Sequence, residues 1–301
     1  MKQEIFFKSM GLNIAAHLYF PDNFNNQTRY PAIVFPHPAG GVKEQTAGLY
    51  AERLAKHGYI SLAYDATYQG ASEGLPRGLE YPDLRIEDIS AAFDFLSTLA
   101  FVDNNRFGII GVCAGGGYAV AAAQRDYRIK VVGGVSAAEM GEYARKGWTG
   151  DADITGAKDL LEKVGQQRNA ESNGTEILYS SWTPAEKSKE LSKEFQDAFD
   201  YYRSPRGQHK NSTGQFPFIS FDKMIAANGV ANVKTLLKQP IILIAGSDAG
   251  TKWQSDNIYR EVQGIKQLEI IENANHFDLY DQLEYVLQAE EKLVAFFANH
   301  L

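Results

Sequence analysis

The chain has one cysteine among 301 residues, set in the run IIGVCAGGGYA at positions 109–119. A lone thiol can fill a small buried space as a hydrophobe, respond to oxidation, or attack an electrophilic carbonyl. A redox role is the weakest of these, because no second cysteine is present to resolve an oxidised thiol. Three features favour attack. Gly111 and Gly115 allow a tight strand-to-helix turn that a side chain would block. Cys113 then stands at the N-terminal end of a helix, where the backbone dipole favours a thiolate. The turn also falls at the carboxyl end of a central strand, where open α/β sheets place their ligands.

A turn of that kind needs a sheet to hold it. Short apolar bursts at 32–35 (AIVF), 59–64, 106–112, 129–135, 241–245 (IILIA) and 267–271 read as strands. The N-terminal 20 residues alternate like further strands and carry no secretory pattern. Helical periodicity covers 44–57, 83–99, the run after Cys113 to about Arg125, 254–263 and 281–297. In the second of these, Leu84, Ile89, Ala92, Phe93 and Leu96 form the inward face. Strands separated by helices of this length imply right-handed crossovers and a mostly parallel sheet covered on both faces, an α/β class. The rhythm breaks after Ser136. Residues 137–235 are polar, aromatic-rich and helical in pattern, too long for a plain connection. The expected division is therefore a core from 1–136 and 236–301 with an inserted helical lid at 137–235. Within the lid, Thr183-Pro184-Ala185-Glu186 reads as a capped helix start, and the run from Tyr201 to Pro217 as loop.

Gly111-Val112-Cys113-Ala114-Gly115 resembles the nucleophile elbow of the α/β-hydrolase superfamily, with Cys in place of the usual Ser. It is similar more narrowly to dienelactone-hydrolase-like members, which also carry Cys there. The resemblance runs from about residue 5 to 300 and is weakest over the lid. It implies an α/β-hydrolase fold and a nucleophile, acid and histidine in that chain order. Asp248, in IAGSDAG after the IILIA strand, fits the acid, with Asp256 as the fallback. His276, in ENANHFDLYD after the next strand, fits the base. His17, His57 and His300 are poorly placed, and His209 in the lid is the one competitor.

Acyl transfer also needs backbone N–H donors for an oxyanion. Ala114 supplies one by its position after the nucleophile. The other is expected from FPHPAGGVKEQ, which resembles the His-Gly-type loop of esterases but has Pro38 where Gly is usual. Proline has no N–H, so Ala39 is the expected donor. His37 is expected to shape that loop, and both His37 and Tyr68 are candidates for lining the pocket. The stretch AYDATYQGASEG resembles a loop that braces related active sites, with Asp65 as a structural brace. No metal-ligand spacing, dinucleotide fingerprint or P-loop lysine is present, so neither metal nor cofactor is expected.

These residues imply hydrolysis of small esters, lactones or thioesters through a covalent acyl-enzyme formed on Cys113. An acyltransferase with the same triad and a non-catalytic ligand-binding protein on the same scaffold are the alternatives. The aromatic residues of the lid offer walls for an apolar pocket. The composition agrees: 44% hydrophobic and 22% charged residues suit a globular protein with a large core. A net charge of −7 disfavours nucleic acid and anionic membrane partners. No apolar stretch is long enough to span a bilayer. A small-molecule acyl substrate and a cytoplasmic location are expected, and self-association is left open.

Overall fold

The computed structural model describes all 301 residues. Eight strands form one sheet: β1 (Lys2–Ser9), β2 (Leu12–Tyr19), β3 (Tyr30–Phe35), β4 (Ile60–Tyr64), β5 (Val102–Val112), β6 (Ile129–Val135), β9 (Ile241–Gly246) and β10 (Lys266–Ile271). Their order is β1-β2-β4-β3-β5-β6-β9-β10. The two N-terminal strands pair antiparallel, as does β2 with β4, and every other pairing is parallel. This is the α/β-hydrolase arrangement expected from the elbow. The core helices are α1 (Thr46–Ala55), α2 (Pro82–Ser97), α3 (Ala114–Ala123) and α9 (Lys252–Glu261) between strands, with α10 (Asp278–Asp281) and α11 (Leu283–His300) after the last strand. None is long and apolar enough to cross a membrane.

Adjacent residues of β5 show how the sheet is covered. Phe107 packs on Phe93 of α2, with ring centroids 5.0 Å apart. At Gly108, the next residue, an added Cβ would stand 2.8 Å from Phe297 of α11. Side chains alternate across a strand, so α2 and α11 lie on opposite faces. The apolar runs read as strands are apolar throughout because both their faces are buried.

Between β6 and β9 the chain adds no strand to this sheet. It forms α4 (Met140–Lys146), α5 (Thr155–Ser172), α6 (Lys193–Arg203), α7 (Ser220–Ala226) and α8 (Val233–Leu236). A small antiparallel pair, β7 (Tyr179–Ser181) with β8 (Gln215–Pro217), completes the segment. The helix expected to start at Thr183 starts instead at Lys193, capped by Ser192, whose Oγ accepts from the Phe195 N–H at 3.3 Å. Thr183 Oγ1 accepts a hydrogen bond from Arg203 Nε at 3.2 Å. Its capping signature therefore goes to a tertiary contact. Residues 215–217, read as loop, are β8.

The second correction concerns α2. Leu84 is only half-buried, whereas Arg85 and Asp88 on the same helix are wholly enclosed. A polar pattern hides this face from periodicity, and Arg85 proves to lie beneath the site described next.

Candidate active site

The strand-to-helix turn explains its glycines. Cys113 caps α3 at φ 56° and ψ −124°, a backbone region that costs a non-glycine residue on the order of 1–3 kcal/mol. Its N–H donates to the Val135 carbonyl at 3.0 Å, and its own carbonyl accepts from the N–H groups of Gly116 and Ala138 at 2.8 and 2.9 Å. The bend folds β5 back against α3 so closely that a Cβ on Gly111 would lie 2.0 Å from the Gly115 carbonyl oxygen. One on Gly115 would lie 2.1 Å from the Pro36 carbonyl oxygen. Backbone cannot yield as a side chain can. Gly111→Ala is therefore expected to cost about 3 kcal/mol or more in stability, read as a fall in the urea midpoint with an unchanged slope.

The Pro36–Gly41 loop runs over the turn, and His37 fixes it. The His37 Nδ1–H donates to the Pro38 carbonyl at 2.7 Å, and Nε2 accepts from the Ala66 N–H at 3.0 Å. Those partners require a neutral ring, and complete burial holds its pKa well below the ordinary range. His37 therefore shapes the loop and does not line the pocket. The N–H groups of Ala39 and Ala114 consequently lie near the Cys113 thiol and favour its thiolate form. Asp65 braces the neighbouring loop: it accepts from the N–H groups of Lys43 and Ala71, each at 2.7 Å, and pairs with Lys43 Nζ at 2.9 Å. Tyr68, a pocket candidate, faces a separate polar cleft beside Gly40 and Arg77 and does not reach the cysteine.

His276 is fully buried at the end of the β10 loop. Its Nδ1 lies 2.6 Å from Thr251 Oγ1, and its Nε2 lies 3.2 Å from the Tyr280 hydroxyl. Asp248 is not at the imidazole. Its side chain is exposed and accepts from Ser247 Oγ at 2.9 Å. The turn after β9 sends the aspartate outward, whereas Thr251, the N-cap of α9, turns its hydroxyl inward. The structure thus corrects the expected acid: the histidine is oriented by a neutral hydroxyl. Asp256 is engaged with Lys252 at 2.9 Å and does not replace it. His209 lies 3.8 Å from Glu44, away from the thiol.

A carboxylate does approach the histidine loop, but from the inserted segment. Glu194, in the first turn of α6, accepts from the backbone N–H of His276 at 3.0 Å, from that of Gly250 at 3.1 Å, and from Trp148 Nε1 at 2.5 Å. It ties the loops carrying Thr251 and His276 to the insertion, and burial raises its pKa. Sequence reasoning missed Glu194, Thr251 and Tyr280. Only Tyr280, four residues after His276 in the chain, carried a signal, through its nearness in sequence.

Burial controls the charges. It raises the pKa of the Cys113 thiol, against the opposing pull of Tyr280, Ala114 and Ala39. It lowers that of His276 to about 3, with no carboxylate to counter it. The resting pair is a neutral thiol and a neutral imidazole. Iodoacetamide alkylation of Cys113 is therefore expected to climb without levelling through roughly pH 7 to 9. A plateau below about pH 7 would reveal a resident thiolate–imidazolium pair instead.

Above the thiol lies a small apolar cavity of about 50 Å³. The insertion supplies most of its wall, with Trp148, Trp182, Phe195 and Tyr202. Trp182 covers Gly40, where an added Cβ would stand 2.4 Å from its ring, and Trp148 meets His276 edge-on at 4.7 Å. Tyr143 of α4 lines the cavity too, whereas two further aromatics of the insertion serve elsewhere. The Tyr201 hydroxyl accepts from the Thr46 N–H at 2.9 Å, and Phe216 stacks behind Trp182 at 4.0 Å.

Comparison with known proteins agrees with this architecture. The model of the X-Pro dipeptidyl-peptidase (S15) family matches residues 11–278. The uncharacterized protein YcjY of Escherichia coli is 42% identical over 96% of this chain and 95% of its own. The crystal structure of hypothetical protein PA2218 from Pseudomonas aeruginosa superposes with a TM-score of 0.93 at 34% identity, covering 100% of this chain and 94% of that one. The α/β hydrolase GrgF from Penicillium shares the fold, with a TM-score of 0.82 at 18% identity over 100% of this chain and 99% of that one. A thiohydrolase, aneE of Aspergillus aculeatus, is 27% identical over 94% of this chain and 89% of its own. With its parallel sheet, its elbow at residues 111–115 and a family match over most of its length, the chain belongs to the X-Pro dipeptidyl-peptidase (S15) family of α/β hydrolases.

Proposed function

We propose that this protein is an acyl hydrolase that uses Cys113 as its nucleophile on small esters, lactones or thioesters. One observation carries the reading: the thiol, held at positive φ, faces the backbone N–H groups of Ala39 and Ala114. Donors so placed can receive the oxygen of a carbonyl attacked by that sulfur. In the proposed cycle, the Cys113 proton passes to His276 and the sulfur adds to the carbonyl. The two N–H groups stabilise the oxyanion, and collapse expels the leaving group, which takes the proton from His276. Water, activated by the same imidazole, then releases the acid.

The cavity shapes the substrate class. A space of about 50 Å³ walled by tryptophan and tyrosine suits a short apolar acyl group. A weak base held by a neutral hydroxyl suits a thiol, whose proton is far easier to remove than that of serine. It suits activated carbonyls better than amides. The kinship with a thiohydrolase points to the same chemistry. Transfer of the acyl group to an alcohol or amine remains the second reading, because the apolar wall can also keep water out.

The test is turnover and intact mass after incubation with p-nitrophenyl esters, lactones, acyl thioesters and an X-Pro anilide, with and without added alcohol or amine. Hydrolysis with an acyl adduct on Cys113 supports the proposal. Product formed only with an added acceptor assigns a transferase. Cleavage of the anilide alone assigns the peptidase activity in the family's name. No adduct and no turnover across the panel would overturn acyl chemistry and leave ligand binding.

A further inference from the structure

The imidazole of His276 does not hydrogen-bond the thiol. Its Nε2 hydrogen-bonds Tyr280 Oη at 3.2 Å. That hydroxyl in turn lies beside Cys113 Sγ and the Tyr202 hydroxyl. Tyr280 is 1% exposed and sits on α10, four residues after His276. The turn at His276 and Phe277, which leads into α10, brings the two side chains within 3.2 Å of each other. The phenol oxygen thus contacts the candidate base and shares with the candidate nucleophile a cavity that Cys113 and Tyr280 both line.

Packing alone asks only for the ring. Tyr280 meets Tyr201 and Phe277 with ring centroids at 5.0 and 5.1 Å, contacts that phenylalanine would also make. The hydroxyl is buried where a bare hydrocarbon edge would cost nothing in desolvation.

We propose that Tyr280 is a catalytic residue whose hydroxyl carries the proton between Cys113 and His276. The inference rests on Cys113 being the nucleophile. During attack, the thiol proton moves to Tyr280 Oη while the phenol's own proton moves to His276 Nε2. The S–H bond and the original O–H bond break, and a new O–H bond and an N–H bond form. Tyrosine ends neutral and the imidazole carries the positive charge. The sulfur electron pair forms the C–S bond as the carbonyl π pair moves to oxygen. When the intermediate collapses, the leaving group departs with the C–X electron pair and takes the Nε2 proton. In deacylation, water loses its proton to Nε2 as it attacks, and that proton returns through Oη to the departing sulfur. The relay requires Nε2 free at rest, with Nδ1–H donated to Thr251 Oγ1. The 2.6 Å contact accommodates that tautomer.

The experiment compares the full-length protein with Tyr280→Phe, His276→Ala and the double variant. One readout is acylation by an ester that the unsubstituted protein turns over; the other is iodoacetamide alkylation of Cys113, which needs no substrate. Tyr280→Phe is expected to slow acylation by about 10²-fold with KM within about threefold. Alkylation near neutral pH is expected to slow by about 10-fold in each single variant. The double variant should be no slower than the slower single one, because groups acting in series are not additive. Wild-type rates in Tyr280→Phe, or losses that multiply in the double variant, would overturn the relay. If no acyl substrate is found, the hydrolase reading fails, and the alkylation series still decides on Tyr280. Should Tyr280→Phe prove poorly folded, 3-fluorotyrosine at position 280 keeps ring and hydroxyl while making the phenol more acidic. The relay then requires the pH limb of alkylation to move, and an unmoved limb sinks it.

Discussion

Cys113→Ala is expected to remove acylation almost entirely, by on the order of 10⁴-fold or more, and Cys113→Ser to fall short of the cysteine by about 10²–10³-fold. The first loss follows from deleting the atom that forms the covalent bond in the proposed cycle, with the N–H groups of Ala39 and Ala114 left to act on substrate alone. The second follows from the base. The serine proton is much harder to remove than the thiol proton, and the imidazole that must take it is held by Thr251, not by a carboxylate. With a folded-state pKa near 3, that imidazole is a poor acceptor for a hydroxyl proton. The same logic separates two neighbours. Asp248→Asn is expected to leave turnover within about threefold, because the exposed carboxylate does not touch the ring. Thr251→Ala should cost about 10-fold or more by freeing the imidazole to rotate. A serine variant as fast as the cysteine protein, or a large loss in Asp248→Asn, would show that Asp248 reaches the histidine during turnover.

Arg85→Leu is expected to destabilise the protein by about 3–5 kcal/mol, the cost of leaving a buried carboxylate without its cation. Arg85 and Glu80 have side chains 2% and 0% exposed and approach to 3.6 Å. Glu80 also accepts from Tyr118 Oη at 2.6 Å and from Gln69 Nε2 at 2.8 Å, and the guanidinium lies 4.9 Å over the Tyr118 ring. The remaining Arg85 donor contact is to the His37 carbonyl, within the loop that presents Ala39. The substitution is therefore expected to reach activity as well as stability: a loosened loop misplaces one proposed oxyanion donor, a loss of up to about 10²-fold in kcat. Urea unfolding and turnover on the same samples check both. Pairing the substitution with Glu80→Gln should recover part of the stability, because the orphaned charge is gone, without restoring the rate. Equal stability in Arg85→Leu and the unsubstituted protein would mean that the pair contributes nothing.

The sequence by itself determined the parts that depend on local backbone and on neighbours a few residues apart. Apolar runs bounded by turns located the core strands to within a few residues, because a strand buried on both faces can hold little else. The glycines at 111 and 115 marked a turn whose close backbone approach excludes any Cβ. The position of Ala114 after that turn, and the missing N–H of Pro38, singled out the two N–H groups proposed as oxyanion donors. Tertiary structure decided what sits opposite these groups. Asp248 and Thr251 are three residues apart after one strand, and sequence order cannot say which faces inward. The aspartate points to water, where its charge is solvated at no cost, and the smaller neutral hydroxyl takes the buried position beside His276. Glu194 closes on the histidine loop from 82 residues away in the chain, a distance over which no periodicity carries information. Arg85 is hidden for a related reason. A buried ion pair is stable only when its partners converge in space, and Glu80, Tyr118 and the His37 carbonyl are brought together by packing alone.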